Sequence, residues 1–157
     1  MREVLPDAVV TSCEAIRARG EHEAGYRTRF VAMAGSILDR FGRVELAQIV
    51  ASFYSDVLRS PRLGPYFEDV SISALSEHQT QFLAAIMGGP LAHTAEQIRM
   101  AHRHLGITDD DFDEMLRLLE STLLDFGMEP HDAAQVIAGY RDLQPAVVAG
   151  STDADEL

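Results

Sequence analysis

The residues with chemical potential lie on two helical stretches. In Leu75-Ser-Glu-His-Gln-Thr-Gln-Phe-Leu-Ala-Ala-Ile-Met87, a period of 3.6 puts Leu75, His78, Gln79, Phe82, Leu83 and Ile86 on one side and Ser76, Glu77, Thr80 and Gln81 on the other. A histidine and a glutamine therefore interrupt an apolar stripe. Burying either without a partner costs about 1–3 kcal/mol, so the interior must be polar there or must coordinate nitrogen. In Gln97-Ile-Arg-Met-Ala-His-Arg-His-Leu105, Ile98, Ala101, His102 and Leu105 share a face, so a second imidazole turns inward, whereas His104 points elsewhere. Two inward histidines without adjacent cysteine or carboxylate make a poor zinc cage. They suit the two axial positions of a flat iron porphyrin.

The elements that position these residues are all helical, because no alternating apolar and polar run is long enough for a strand. A short helix is expected over residues 36–41, closed by Gly42. A strongly amphipathic one follows over 44–58, with Leu46, Ile49, Val50, Phe53, Tyr54 and Val57 inward. Pro61 stops it, and residues 62–69, with Gly64-Pro65, form a corner from which Phe67 projects. Ser71 or Ser73 caps a helix over 74–87, which Gly88-Gly89-Pro90 ends. Thr108 and Asp111 cap a helix starting near Asp109, with Phe112, Met115, Leu116, Leu119, Leu123 and Phe126 as its inner stripe and Gly127 as its stop. Pro130 opens a last helix carrying Val136, Ile137, Tyr140, Leu143 and Val147.

Composition narrows the function classes. A chain of 157 residues with 46% apolar and 24% charged residues fits one globular domain, here residues 35–148, with an N-terminal extension of short helices over 1–34 and a frayed acidic tail over 149–157. The net charge of −12 repels phosphate backbones and anionic bilayers, and no apolar run reaches the length of a membrane span, so neither nucleic acid nor membrane is an expected partner. No basic start with an apolar run is visible, and the lone Cys13 excludes an internal disulfide and fits a reducing, cytoplasmic setting.

Five pieces occur together in order and spacing: Phe53-Tyr54, Leu63-Gly-Pro-Tyr-Phe67, Leu75-x-x-His78-Gln79-x-x-Phe82-Leu83, Gly88-Gly89-Pro90, and His102-x-x-x-Gly106-Ile107-Thr108. In this the chain resembles the group I truncated haemoglobins, the two-over-two globins, over about residues 35–148. It departs from their usual pattern at Gly42-Arg43, where a second glycine is common, and at His93 and Ala95, where tyrosine and glycine are common.

The resemblance implies an all-α two-over-two sandwich holding haem b (iron protoporphyrin IX). His102 takes the position of the proximal iron ligand, its other ring nitrogen held by an acceptor such as a backbone carbonyl. Tyr54 and Gln79 take the positions that donate hydrogen bonds to bound oxygen, and Leu75 stands where many globins have a distal histidine. Phe67 stacks on the haem; Phe82, Leu83, Leu105 and Ile107 wall it; Arg99 is placed to pair with a propionate. His78 matches the position from which some cyanobacterial and algal members supply a sixth ligand; its competing role is at the pocket mouth, against a propionate or solvent. Covalent haem attachment through a last-helix histidine is not expected, since residues 142–148 contain none. Arg103 and His104 face solvent or the haem edge, and His22, His93 and His131 have no supporting context.

The function so implied is binding of O2, NO and other small diatomic ligands, with nitric oxide dioxygenation to nitrate as the leading chemistry and an unidentified reductase as partner. Bis-histidyl electron transfer, redox sensing and peroxidase-like activity are the variants. The rival of another class is a cofactor-free helical interaction domain in which His102, Gln79 and Tyr54 satisfy one another.

Overall fold

The computed structural model describes residues 36–90 and 93–148. The expected N-terminal extension, with Cys13 and His22, and the tail over 149–157 lie outside the described residues. Among those described, every regular element is helical.

Helix α1 (Ile37–Phe41) starts where expected, because Ser36 and Asp39 form a reciprocal capping box: the Asp39 amide donates to the Ser36 hydroxyl (3.1 Å) and the Ser36 amide to the Asp39 carboxylate (2.9 Å). Gly42, at φ 76°, turns the chain into α2 (Arg43–Arg59). The face of α2 carrying Leu46, Ile49, Val50, Phe53, Tyr54 and Val57 is buried throughout. A 3-10 turn (Gly64–Phe67) follows, entered through Gly64, where a Cβ would come within 3.0 Å of the Leu58 carbonyl oxygen.

Helix α3 (Ile72–Ile86) begins two residues earlier than its stripe suggests, because Ser71, rather than Ser73, caps it by accepting from the Ala74 amide. It ends at Ile86, and Gly88 just beyond takes a φ of 106° that only glycine adopts comfortably. Helix α4 (Ala95–His102) is displaced from the expected 97–105. Thr94 and Gln97 make a capping box that starts it earlier, and it stops at His102, with Gly106 at φ 67° beyond. Helix α5 (Asp109–Asp125) carries the Thr108–Asp111 box as expected. Phe126, placed in its inner stripe from the sequence, is instead 37% exposed. The helix ends at Asp125, and the turn toward Gly127 at φ 83° carries Phe126 off the buried face. The single last helix is also corrected to two, α6 (Pro130–Arg141) and α7 (Gln144–Val147). Pro145 has no N–H to return to the preceding turn, which favours a break there.

Helices α2 and α3 pack on each other, α5 packs on α6, and the pairs meet where α2 crosses α5 and α3 meets α6. This is a two-over-two sandwich. Leu46, Ile49, Leu83, Met87 and Leu123 fill its centre, fully enclosed, each contributing about 1.5–3 kcal/mol of burial. Helix α4 stands outside the sandwich and leans on α7. A space therefore opens between α4 and α3.

Candidate functional site

That space is a cavity of about 400 Å³. Helix α2 gives it Tyr54 and the 3-10 turn gives Phe67. From α3 come Leu75, His78, Gln79, Phe82 and Leu83, spaced so that one face of the helix supplies them all. Its other wall holds His102, Leu105 and Ile107. All the site residues expected from the sequence except Arg99 are thus brought to one cavity. Arg99 does not border it: its guanidinium donates to the Glu96 carboxylate one turn earlier on α4, at 2.6 Å.

Tyr54 is clamped by edge-on contacts with Phe53 (5.2 Å between ring centroids) and Phe67 (5.7 Å). Burial, and then nearby Tyr140, push its hydroxyl pKa well up, so it stays a neutral donor. None of the described residues hydrogen-bonds that hydroxyl, and it borders the cavity.

The Nδ1 atom of His102 lies 2.6 Å from the Ile98 carbonyl oxygen one turn back. A carbonyl only accepts, so Nδ1 carries the proton and Nε2 keeps its lone pair. Burial lowers the His102 pKa, with the Ile98 bond opposing. His78 is lowered further, to about 4, first by burial and then by His93 and His102, so the α3 and α4 imidazoles feel each other across the cavity. Both rings are neutral at pH 7, the form that can ligate a metal.

Sequence reasoning missed three neighbours. His93 comes from the loop before α4, and its ring stands 4.4 Å from that of His78, nearly perpendicular. Its signal was positional: a ring where the resembling family commonly has tyrosine. Tyr140, read as a core residue, borders the cavity from α6 with its ring 5.5 Å from Phe82. Asp111, read as a helix cap, is 7% exposed and also accepts from the Tyr66 hydroxyl at 2.6 Å. Arg103, His104 and His131 are exposed.

A flat iron macrocycle needs an enclosed slot of cofactor size, a basic nitrogen on one wall, and polar groups not consumed by the protein on the other. The cavity lies within the ordinary range for cofactors, about 300–1,000 Å³. Its walls are mostly apolar, His102 offers an unprotonated nitrogen, and Tyr54 keeps its donor. His102, Gln79 and Tyr54 do not meet across a closed core, so the residues present fit the group.

A family model described as "Bacterial-like globin" matches residues 36–148. The chain belongs to the bacterial-like globin family. Membership implies a haem-binding globin. Among curated relatives, this globin is 28% identical over 116 residues to the group 1 truncated hemoglobin GlbN of Mycolicibacterium paratuberculosis, covering 73% of this chain and 85% of that one. Its fold is similar to the crystal structure of the Tetrahymena pyriformis truncated hemoglobin, Fe(III) form, with a TM-score of 0.68 and 21% identity, covering 73% of this chain and 99% of the other. It is likewise similar to a Synechococcus 2/2 hemoglobin in the cyanomet state with covalently attached heme, with a TM-score of 0.67 and 22% identity, covering 73% and 98%. The all-α two-over-two fold expected from the sequence is the fold of these neighbours.

Proposed function

We propose that this globin holds haem b between His102 and the wall made by Tyr54, His78 and Gln79, binds O2 and NO, and converts NO to nitrate. The observation that carries this reading is the cavity itself, with a neutral imidazole on one wall and an unspent tyrosine hydroxyl on the other. When bound, haem supplies reversible ligation of small diatomic molecules and a one-electron iron couple. The Ile98 carbonyl fixes the ring of His102 and raises its basicity. Tyr54 and Gln79 donate hydrogen bonds to partially negative oxygen in a water-poor space, where such bonds are strengthened. Phe67, Phe82, Leu83, Leu105 and Ile107 exclude water. His78, which borders the cavity as a neutral imidazole, would supply a second, exchangeable nitrogen ligand from the facing wall.

Nitrate formation takes up NO, O2 and one electron, so a reductase is the implied partner. The lone Cys13 fits a reducing, cytoplasmic setting. Among the described residues, no helix is long and apolar enough to cross a membrane.

Two measurements test this. Haemin added to the full chain should give a Soret band saturating at one equivalent, lost in His102→Gly and restored by free imidazole. NO mixed with the reduced, oxygenated protein should yield stoichiometric nitrate. A chain that stays colourless removes the haem reading; a coloured one that forms no nitrate removes the dioxygenation alone.

A further inference from the structure

We propose that His93 competes with the iron for His78 and so sets the fraction of this globin open to exogenous ligands. This rests on the reading of His78 as the sixth ligand. His93 belongs to the loop leading into α4, the helix that carries His102, whereas His78 belongs to the opposite wall, α3. Their rings nevertheless meet edge to face, with centroids 4.4 Å apart and planes at 75°. Both rings line the cavity, and their contact joins α3 to the loop before α4. Coordination would require the His78 imidazole to turn from His93 toward the iron, so the two compete for one ring.

His93 is suited to hold His78 in that contact. Its Nδ1 is buried and has no hydrogen-bond partner among the described residues. What the ring does touch is His78 and, at 6.2 Å and tilted, Phe82 one turn further along α3. Edge-to-face ring pairs of this kind shift an equilibrium several-fold to about tenfold. A bias of that size is enough to keep a sixth ligand exchangeable. An incoming ligand sees only the fraction of protein in which His78 is away from the iron, and its apparent affinity scales with that fraction.

The test uses the haemin-loaded full chain, with spin state read by absorption and electron paramagnetic resonance in the ferric form, and CO binding followed in the ferrous form. His93→Ala should raise the ratio of low-spin to high-spin iron several-fold, up to about tenfold, and slow CO binding by the same factor. If the parent protein is already fully low-spin, the CO rate alone carries the comparison. His93→Phe keeps a ring against His78 and should behave like the parent, and its Soret intensity and circular dichroism report on folding. His78→Ala should be high-spin, and adding His93→Ala to it should change nothing. A low-spin share and a CO rate that His93→Ala leaves unchanged, or moves in the opposite direction, overturn the inference while His78→Ala upholds the sixth ligand. A His78→Ala spectrum identical to the parent's removes the sixth ligand, and the competition with it.

Discussion

Replacing Asp111 with alanine should cost about 2–5 kcal/mol at pH 7 and loosen one wall of the cavity. The carboxylate of Asp111 serves two elements at once. It accepts from the Thr108 amide (3.1 Å), completing the cap of α5, and from the Tyr66 hydroxyl (2.6 Å), which ties α5 to the 3-10 turn. Loss of a helix cap costs about 0.5–2 kcal/mol, and a hydrogen bond to a charged group about 1.5–3 kcal/mol. Arg62 also reaches Asp111, at 3.3 Å, but is half exposed and adds little. Burial alone would raise the Asp111 pKa; the Tyr66 hydroxyl, both Thr108 groups and Arg62 outweigh it and hold the carboxyl below its usual range. The unfolded chain therefore takes up this proton first as pH falls. The stabilisation is complete above the unfolded value of about 3.9 and is lost as pH drops through the lower folded value. In urea unfolding, Asp111→Ala should lower the midpoint by about 1–2 M at pH 7. The deficit against the parent should stay flat down to about pH 5 and shrink below about pH 4. Because Tyr66 adjoins Phe67, whose ring packs on Tyr54, haem loss should also accelerate. A deficit under about 0.5 kcal/mol at pH 7, or one that persists undiminished in acid, would refute the argument.

Tyr54→Phe should speed O2 dissociation roughly tenfold, one donor being worth about 1–1.5 kcal/mol, and Gln79→Leu on that background should speed it further. Stopped-flow rates equal to the parent's would show that neither side chain reaches the ligand. Gly88→Ala should cost about 1–3 kcal/mol, because the residue sits at φ 106° and a Cβ there would lie 2.8 Å from the Ser36 Cβ. A thermal midpoint unchanged in this variant would show that the link between the end of α3 and the start of α1 yields freely.

What the sequence disclosed about this globin follows from where each signal is stored. The buried face of α2 was legible because all its members repeat on one helix, and so was the single face of α3 that carries His78, Gln79 and Phe82 to the cavity. Helix ends were less so. The Thr94-x-x-Gln97 box that starts α4 is a local signal and could have been read, whereas Phe126 left its stripe through a backbone turn at Gly127 that periodicity does not record. Residues whose roles are created by tertiary contact were invisible. Asp111 read as a cap until Tyr66 met it, Tyr140 as core until the cavity opened beside it, and His93 as an idle loop histidine. A polar residue announces itself when it interrupts the apolar stripe of its own helix; one that arrives on a loop has no stripe to interrupt. The parts of the site that sit on α2, α3 and α4 were readable from helical spacing, whereas the roles of Phe67 and Ile107, which lie off those helices, came through the family resemblance. His93 stands on the loop before α4, outside any helical stripe, so its contact with His78 could be found only once the fold was seen.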